Sequence, residues 1–255
     1  MFKAGFVSVS FRPNSVEEII EAATCAKLPI IEWGGDVHSP AGDVATAEKI
    51  KALSDAAGIK LLTYGSYYRV GINPAEEFSG VIASAKALGV DIIRVWGYKR
   101  VFDEFSSEEW QSVVGEGKRI AEMAKEAGVT VCLECHNNTV TENYECALKY
   151  IEAVGSPALR MYWQYNEKRD FEYNIAAARA IAPYTECIHV FNHTDEGKKA
   201  SLALGLDKWR KYLDVFRDEA KKRDIPMLLE FMPDGSIESL PTEGAALLEL
   251  VASYN

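Results

Sequence analysis

The sequence predicts a single domain, residues 1–255, folded as a (β/α)₈ barrel of the α/β class. Three observations carry this. The chain has 255 residues, close to the roughly 250 typical of one such barrel. Eight short apolar runs, beginning near Phe2, Pro29, Lys60, Asp91, Val129, Leu159, Cys187 and Met227, each lead through polar loop residues into a longer amphipathic segment. No linker or low-complexity tract breaks the series.

Taken in order, each run is rich in β-branched or large apolar residues, as a parallel strand covered on both faces should be. The helices between them announce their ends. Ser15-Val16-Glu17-Glu18 and Ser106-Ser107-Glu108-Glu109 read as capping boxes, in which a hydroxyl and a carboxylate satisfy the first free backbone N–H groups. Asn73-Pro74-Ala75-Glu76 reads as an N-cap followed by a proline at the first helical position. Gly58, Gly89, Gly128 and Gly155 each stand between a helix and the next apolar run, where a left-handed residue stops a helix. An open doubly wound sheet is the competing arrangement, but neither G-x-G-x-x-G nor a P-loop follows the first strand.

Composition narrows the function classes. Apolar residues make up 48% and charged residues 26%, the balance of an ordinary globular protein. A formal net charge of −10 repels polyphosphate backbones, so nucleic acid is not an expected partner. Cys132 and Cys135 form a C-x-x-C, but inside an apolar run, which suits buried reduced thiols better than a redox or zinc motif. Met1-Phe2-Lys3 leads directly into the first run, and no apolar run approaches the roughly 20 residues of a membrane span. The expectation is a cytoplasmic protein that engages no membrane.

In a (β/α)₈ barrel the chemistry sits at the carboxyl ends of the strands. All four histidines, His38, His136, His189 and His193, fall in those segments. Glu134 follows Val131-Cys132-Leu133 and Glu230 follows Met227-Leu228-Leu229. A carboxylate at the end of a buried strand is costly unless it is paired or binds metal. A salt bridge to Lys or Arg is the competing explanation for each acid alone. Alternation along the strands adds to the metal reading. If Glu134 points inward, so do Cys132 and His136; Gln164 is in phase with Tyr162, His189 with Phe191, and Glu230 with Leu228. Two carboxylates, an imidazole and an amide oxygen then converge, a mixed N and O set suited to one divalent ion, Mn²⁺, Mg²⁺, Co²⁺ or Zn²⁺. Trp33, Tyr64, Tyr67, Tyr68, Trp96 and Trp163 crowd the same ends. With His38 and His136 they are candidate substrate-binding residues for a sugar-sized ligand, and core packing is the alternative for each aromatic. Arg69 is a candidate for an anionic substituent, as are Arg94, Lys99 and Lys168, and solvated or paired side chains are the alternative.

The segments Ile31-Glu32-Trp33-Gly34-Gly35-Asp36-Val37-His38, Tyr64-Gly65-Ser66-Tyr67-Tyr68-Arg69, Leu133-Glu134-Cys135-His136, Tyr162-Trp163-Gln164 and His189-Val190-Phe191 resemble the xylose isomerase-like TIM barrels, the sugar (phosphate) isomerases and epimerases related to AP endonuclease family 2. The resemblance covers essentially the whole chain. It implies metal ligands at Glu134, Gln164, His189 and Glu230. Gln164 departs from the pattern, which has an acid there; an amide oxygen coordinates without charge, so metal affinity should fall.

The resulting expectation is an isomerase or epimerase acting on a small carbohydrate by proton transfer through an enediolate, with Glu134 and Glu230 as general base and acid and His136 on a substrate hydroxyl. A metal-dependent lyase or dehydratase on a related polyol acid shares the first step. A sugar-binding barrel that has lost catalysis is the non-enzymatic alternative. Cleavage of abasic DNA needs more His and Asp ligands than this chain offers. A homo-oligomer is compatible with what similar barrels form.

Overall fold

A computed structural model describes residues 1–101 and 105–255. Eight strands alternate with eight helices: β1 (Phe2–Val7), α1 (Val16–Ala26), β2 (Ile31–Gly34), α2 (Val44–Ala56), β3 (Thr63–Val70), α3 (Phe78–Leu88), β4 (Ile92–Gly97), α4 (Ser107–Ala127), β5 (Thr130–Glu134), α5 (Tyr144–Val154), β6 (Leu159–Trp163), α6 (Phe171–Ile181), β7 (Thr185–Val190), α7 (Leu206–Lys222), β8 (Ile225–Leu229) and α8 (Leu240–Ala252). Each strand pairs in parallel with its neighbours in sequence, and β8 pairs with β1 from Phe2↔Ile225 to Phe6↔Leu229, closing a barrel. Every expected strand forms. The starts differ by a few residues: β7 opens at Thr185 and β8 at Ile225.

Both capping boxes form. Ser15 accepts from Glu18 N–H and Ser106 from Glu109 N–H, with each glutamate reaching back to the cap. Gly89, Gly128 and Gly155 are left-handed C-caps of α3, α4 and α5. The Asn73-Pro74 signal is displaced. It leads into one 3₁₀ turn, Ala75–Glu77, and the α-helix starts only at Phe78. The Asn73 side chain is used instead to accept from Arg69 N–H and to donate to Glu77.

Two cores follow from the period-two pleat. Val7, Val9, Ile30, Cys132, Tyr162, Cys187 and Leu228 fill the barrel interior. The outward faces pack on the helices, with Trp33, Tyr64, Trp163 and Trp209 fully buried there. Burying a large apolar side chain contributes about 1.5–3 kcal/mol. No disulfide forms among the described cysteines. No helix among the described residues is long and apolar enough to cross a membrane.

One irregularity shapes the site. Between β3 and β4 the register runs Gly65↔Arg94 and then Arg69↔Trp96, so β3 bulges by two residues. Tyr67, within the bulge, has a left-handed backbone, φ 61°. Its ring turns over the Arg94 guanidinium and against Trp96.

Candidate metal centre

The strand pleat brings four side chains to one point at the carboxyl end. Glu134 closes β5, Gln164 follows β6, His189 lies in β7 and Glu230 follows β8. All four meet at one ring atom. His189 Nδ1 is 3.2 Å from Gln164 Oε1, 3.4 Å from Glu134 Oε1 and 3.5 Å from Glu230 Oε2. Glu134, His189 and Glu230 are buried and offer ligand atoms within 4.8 Å of one another, so they form a group able to hold a metal ion.

The electrostatics describe a nest for positive charge. Burial alone would lower the pKa of His189, but Glu230, Glu134 and Glu32 overrule it and raise it to about 10. Burial raises the pKa of Glu134 too. Arg94 and His189 outweigh that and hold its carboxyl well below the usual range. At Glu230 burial and repulsion from Glu134 prevail over the attraction of His189, and the pKa rises. Without a metal, a protonated His189 is therefore the cation of this nest.

Two charged residues outside the expected set complete it. Glu32 of β2 and Arg94 of β4 are 1% and 2% exposed. Arg94 donates to Glu134 Oε2 at 2.7 Å, and its Nε is 3.5 Å from Glu32 Oε1. Trp96 Nε1 also donates to Glu134 Oε2. Tyr162 donates to Glu32 Oε2 at 2.9 Å. Gly65 leaves room for the pair: a Cβ there would stand 2.8 Å from both Arg94 Nη2 and Glu32 Oε1. Alternation applied to β2 and β4 would have found both residues, because Glu32 and Arg94 point inward just as Glu134 does.

The donor set fits a divalent cation. Glu230 Oε2 and His189 Nε2 are buried with no hydrogen-bond partner among the described residues. An orphaned carboxylate oxygen of this kind costs free energy unless something positive meets it. With His189 neutral, as a ligating imidazole must be, three buried carboxylates and one guanidinium leave two negative charges. One divalent ion cancels them.

Several expected substrate-binding residues lie elsewhere. Trp33 and Tyr64 point outward, the neighbours in sequence of inward residues, and both are fully buried among helices. Tyr64 donates to Ser39 O. Tyr68 packs on Phe78. His38 is a structural residue, hydrogen-bonded to Ser8 Oγ at 3.0 Å and Asn14 O at 3.1 Å. Trp163 also points outward, against Trp209, Tyr212 and Phe216, and lines part of the neighbouring cavity. Arg69 donates to Tyr98 O and lies 4.5 Å over Trp96. Arg94 is committed to carboxylates and is not available to an anion. Trp96 and His136 do face the site, their rings tilted against each other with centres 5.1 Å apart.

A cavity of about 370 Å³ opens beside these side chains, lined by His136, Gln164, Phe191, His193, Lys168 and Phe231 among others. Phe231, next to Glu230, is 37% exposed and has a left-handed backbone, φ 58°. Such strain in a bulky residue gathers at functional sites. Composition gave no signal for Phe231, whose placement depends on a backbone turn, whereas Tyr67 is among the aromatics expected at these strand ends.

A family model described as xylose isomerase-like TIM barrel matches residues 20–166. The chain belongs to this family. Xylose isomerase-like barrels of known structure share the fold over nearly its whole length. AsbF of Bacillus anthracis, the probable 3-DHS dehydratase involved in petrobactin synthesis, is 18% identical, with 97% of this chain and 99% of that one covered and a TM-score of 0.80. D-psicose 3-epimerase of Clostridium cellulolyticum H10, solved with D-tagatose, is 15% identical over 98% of each chain, TM-score 0.71. The IolI protein, solved with a zinc atom, is 17% identical over 99% of each chain, TM-score 0.73. At such identities the likeness is one of fold. No curated protein matches the sequence.

Proposed function

We propose that the protein is a divalent-metal-dependent sugar isomerase or epimerase that moves a proton at a carbon next to a carbonyl. The observation that carries this is the convergence of Gln164, Glu134 and Glu230 on His189 Nδ1, with Glu230 Oε2 buried and unpartnered. Glu134, Gln164, His189 and Glu230 would hold the ion, which supplies Lewis-acid polarisation of a carbonyl oxygen. The chain's own residues do the rest. Glu134, kept ionised by Arg94 and His189 and fixed through Oε2 by Arg94 and Trp96, takes the proton at Oε1. Glu230, whose raised pKa lets it hold a proton, gives one back where the product requires the opposite face. His136 and Trp96 line the approach, His136 meeting a substrate hydroxyl, and the adjoining cavity has the size of a small polyol.

A dehydratase shares the first proton transfer, and the fold likeness to AsbF favours it as the second reading. Metal content and a sugar panel decide. Purified protein titrated with Mn²⁺, Co²⁺ and Zn²⁺ should bind one ion. Ketoses and their phosphates incubated in D₂O should then exchange the proton at one carbon, followed by NMR. Glu230→Gln should lower turnover by at least about 100-fold with unchanged circular dichroism. Loss of water from the product would move the assignment to the dehydratase. Ligand binding with no exchange and no metal would leave a sugar-binding barrel.

A further inference from the structure

We infer that Glu32 and Arg94 are positioning residues that present His189 and Glu134 to the cation through one atom each; this rests on the metal-centre reading above. The imidazole of His189 has two edges. Nδ1 faces Gln164, Glu134 and Glu230. Nε2, on the other edge, is buried without a hydrogen bond, and the carboxylate facing it is Glu32, whose Oε1 is 3.8 Å away. That distance is long for a hydrogen bond and short for a charge contact. A carboxylate behind the ring favours the N–H at Nε2, which leaves the lone pair at Nδ1 where the other ligands meet.

Arg94 does the matching task for Glu134. Together with Trp96 it occupies Oε2 and leaves Oε1 as the oxygen turned to Nδ1. The two positioning residues also hold each other, across the gap that Gly65 provides. Tyr162, a barrel-interior residue, fixes the remaining oxygen of Glu32. A buried ion pair kept only for stability can often be exchanged for apolar side chains. This one reaches a metal ligand at each end, so its removal should be felt at the ion.

The test is cobalt binding by calorimetry and visible absorption, on wild type and on Glu32→Gln, Glu32→Asp and Tyr162→Phe, each first checked by circular dichroism. Wild type should take up one Co²⁺. Glu32→Gln should weaken uptake by about 10- to 100-fold and shift the ligand-field bands. Glu32→Asp, which restores the charge, should recover part of the affinity. Tyr162→Phe keeps the carboxylate and loses only the hydroxyl that orients it, so its affinity should fall between the two. A folded Glu32→Gln with wild-type affinity and spectrum would overturn the inference. If Glu32→Gln does not fold, a wild-type-like Tyr162→Phe overturns it and a weakened one supports it. Wild-type protein that takes up no cobalt sinks the metal-centre reading, and this inference with it.

Discussion

Arg94 stands between two buried carboxylates, and its removal leaves both uncompensated. Arg94→Met should therefore cost about 3–5 kcal/mol, measured as a shift of the urea midpoint at constant slope. A loss under 1 kcal/mol would mean that Glu32 and Glu134 take up protons instead. His38 offers a pH test away from that cluster. Burial outweighs its hydrogen bond to Asn14 and pushes its pKa below the ordinary 6.5. Between those two values the unfolded chain carries a proton that the folded protein refuses. The stability held by neutral His38 is thus complete above pH about 6.5 and is lost as pH falls through the folded pKa. Urea midpoints between pH 7.5 and 5 should decline less steeply in His38→Asn than in wild type. Parallel slopes would show that this ring does not contribute.

Helix α4 carries two glycines whose surroundings differ. At Gly115 an added Cβ meets nothing within 4 Å, whereas at Gly117 it would stand 2.3 Å from the Tyr150 hydroxyl. That hydroxyl donates to Val113 O at 2.8 Å and ties α5 to α4. Gly115→Ala should stabilise by up to about 1 kcal/mol through helix propensity. Gly117→Ala should destabilise by about 1–3 kcal/mol through overpacking, despite the same gain in propensity. Thermal melts of the two variants should move in opposite directions, and movement in the same direction would refute the packing argument. Helix ends were legible because capping is local chemistry: Ser15, Ser106, Gly89, Gly128 and Gly155 act within a turn of where they stand. The start of α3 was not, because Asn73 spends its side chain on Arg69 and Glu77 rather than on a helix terminus. Nor was the β3 bulge, which depends on the partner strand.

For the whole molecule, a ligand that binds the folded barrel alone stabilises it by mass action. Metal at 100 times its dissociation constant should add about 2.7 kcal/mol. For a chain of this size that is a rise of several degrees in melting temperature. A melt unaffected by Mn²⁺, Co²⁺ and Zn²⁺ would count against a resident ion. The barrel itself was readable from the recurrence of apolar runs, since closure demands eight similar units. The convergence of Glu134, Gln164, His189 and Glu230 was readable from strand alternation. Glu32 and Arg94 escaped because side-chain type was weighed above parity on β2 and β4: Trp33 looked like a ligand wall, and Arg94 like a receptor for an anion. The residues that matter on those strands are the ones in step with Glu134.

Gly65 has a consequence for how this barrel can change over generations. A side chain cannot enter at 65 while Arg94 and Glu32 fill the space, and Arg94 cannot leave first without exposing two acids to each other. Either step alone is harmful, so a lineage must cross both together or neither. The interior of β2, β3 and β4 is thereby locked as a unit.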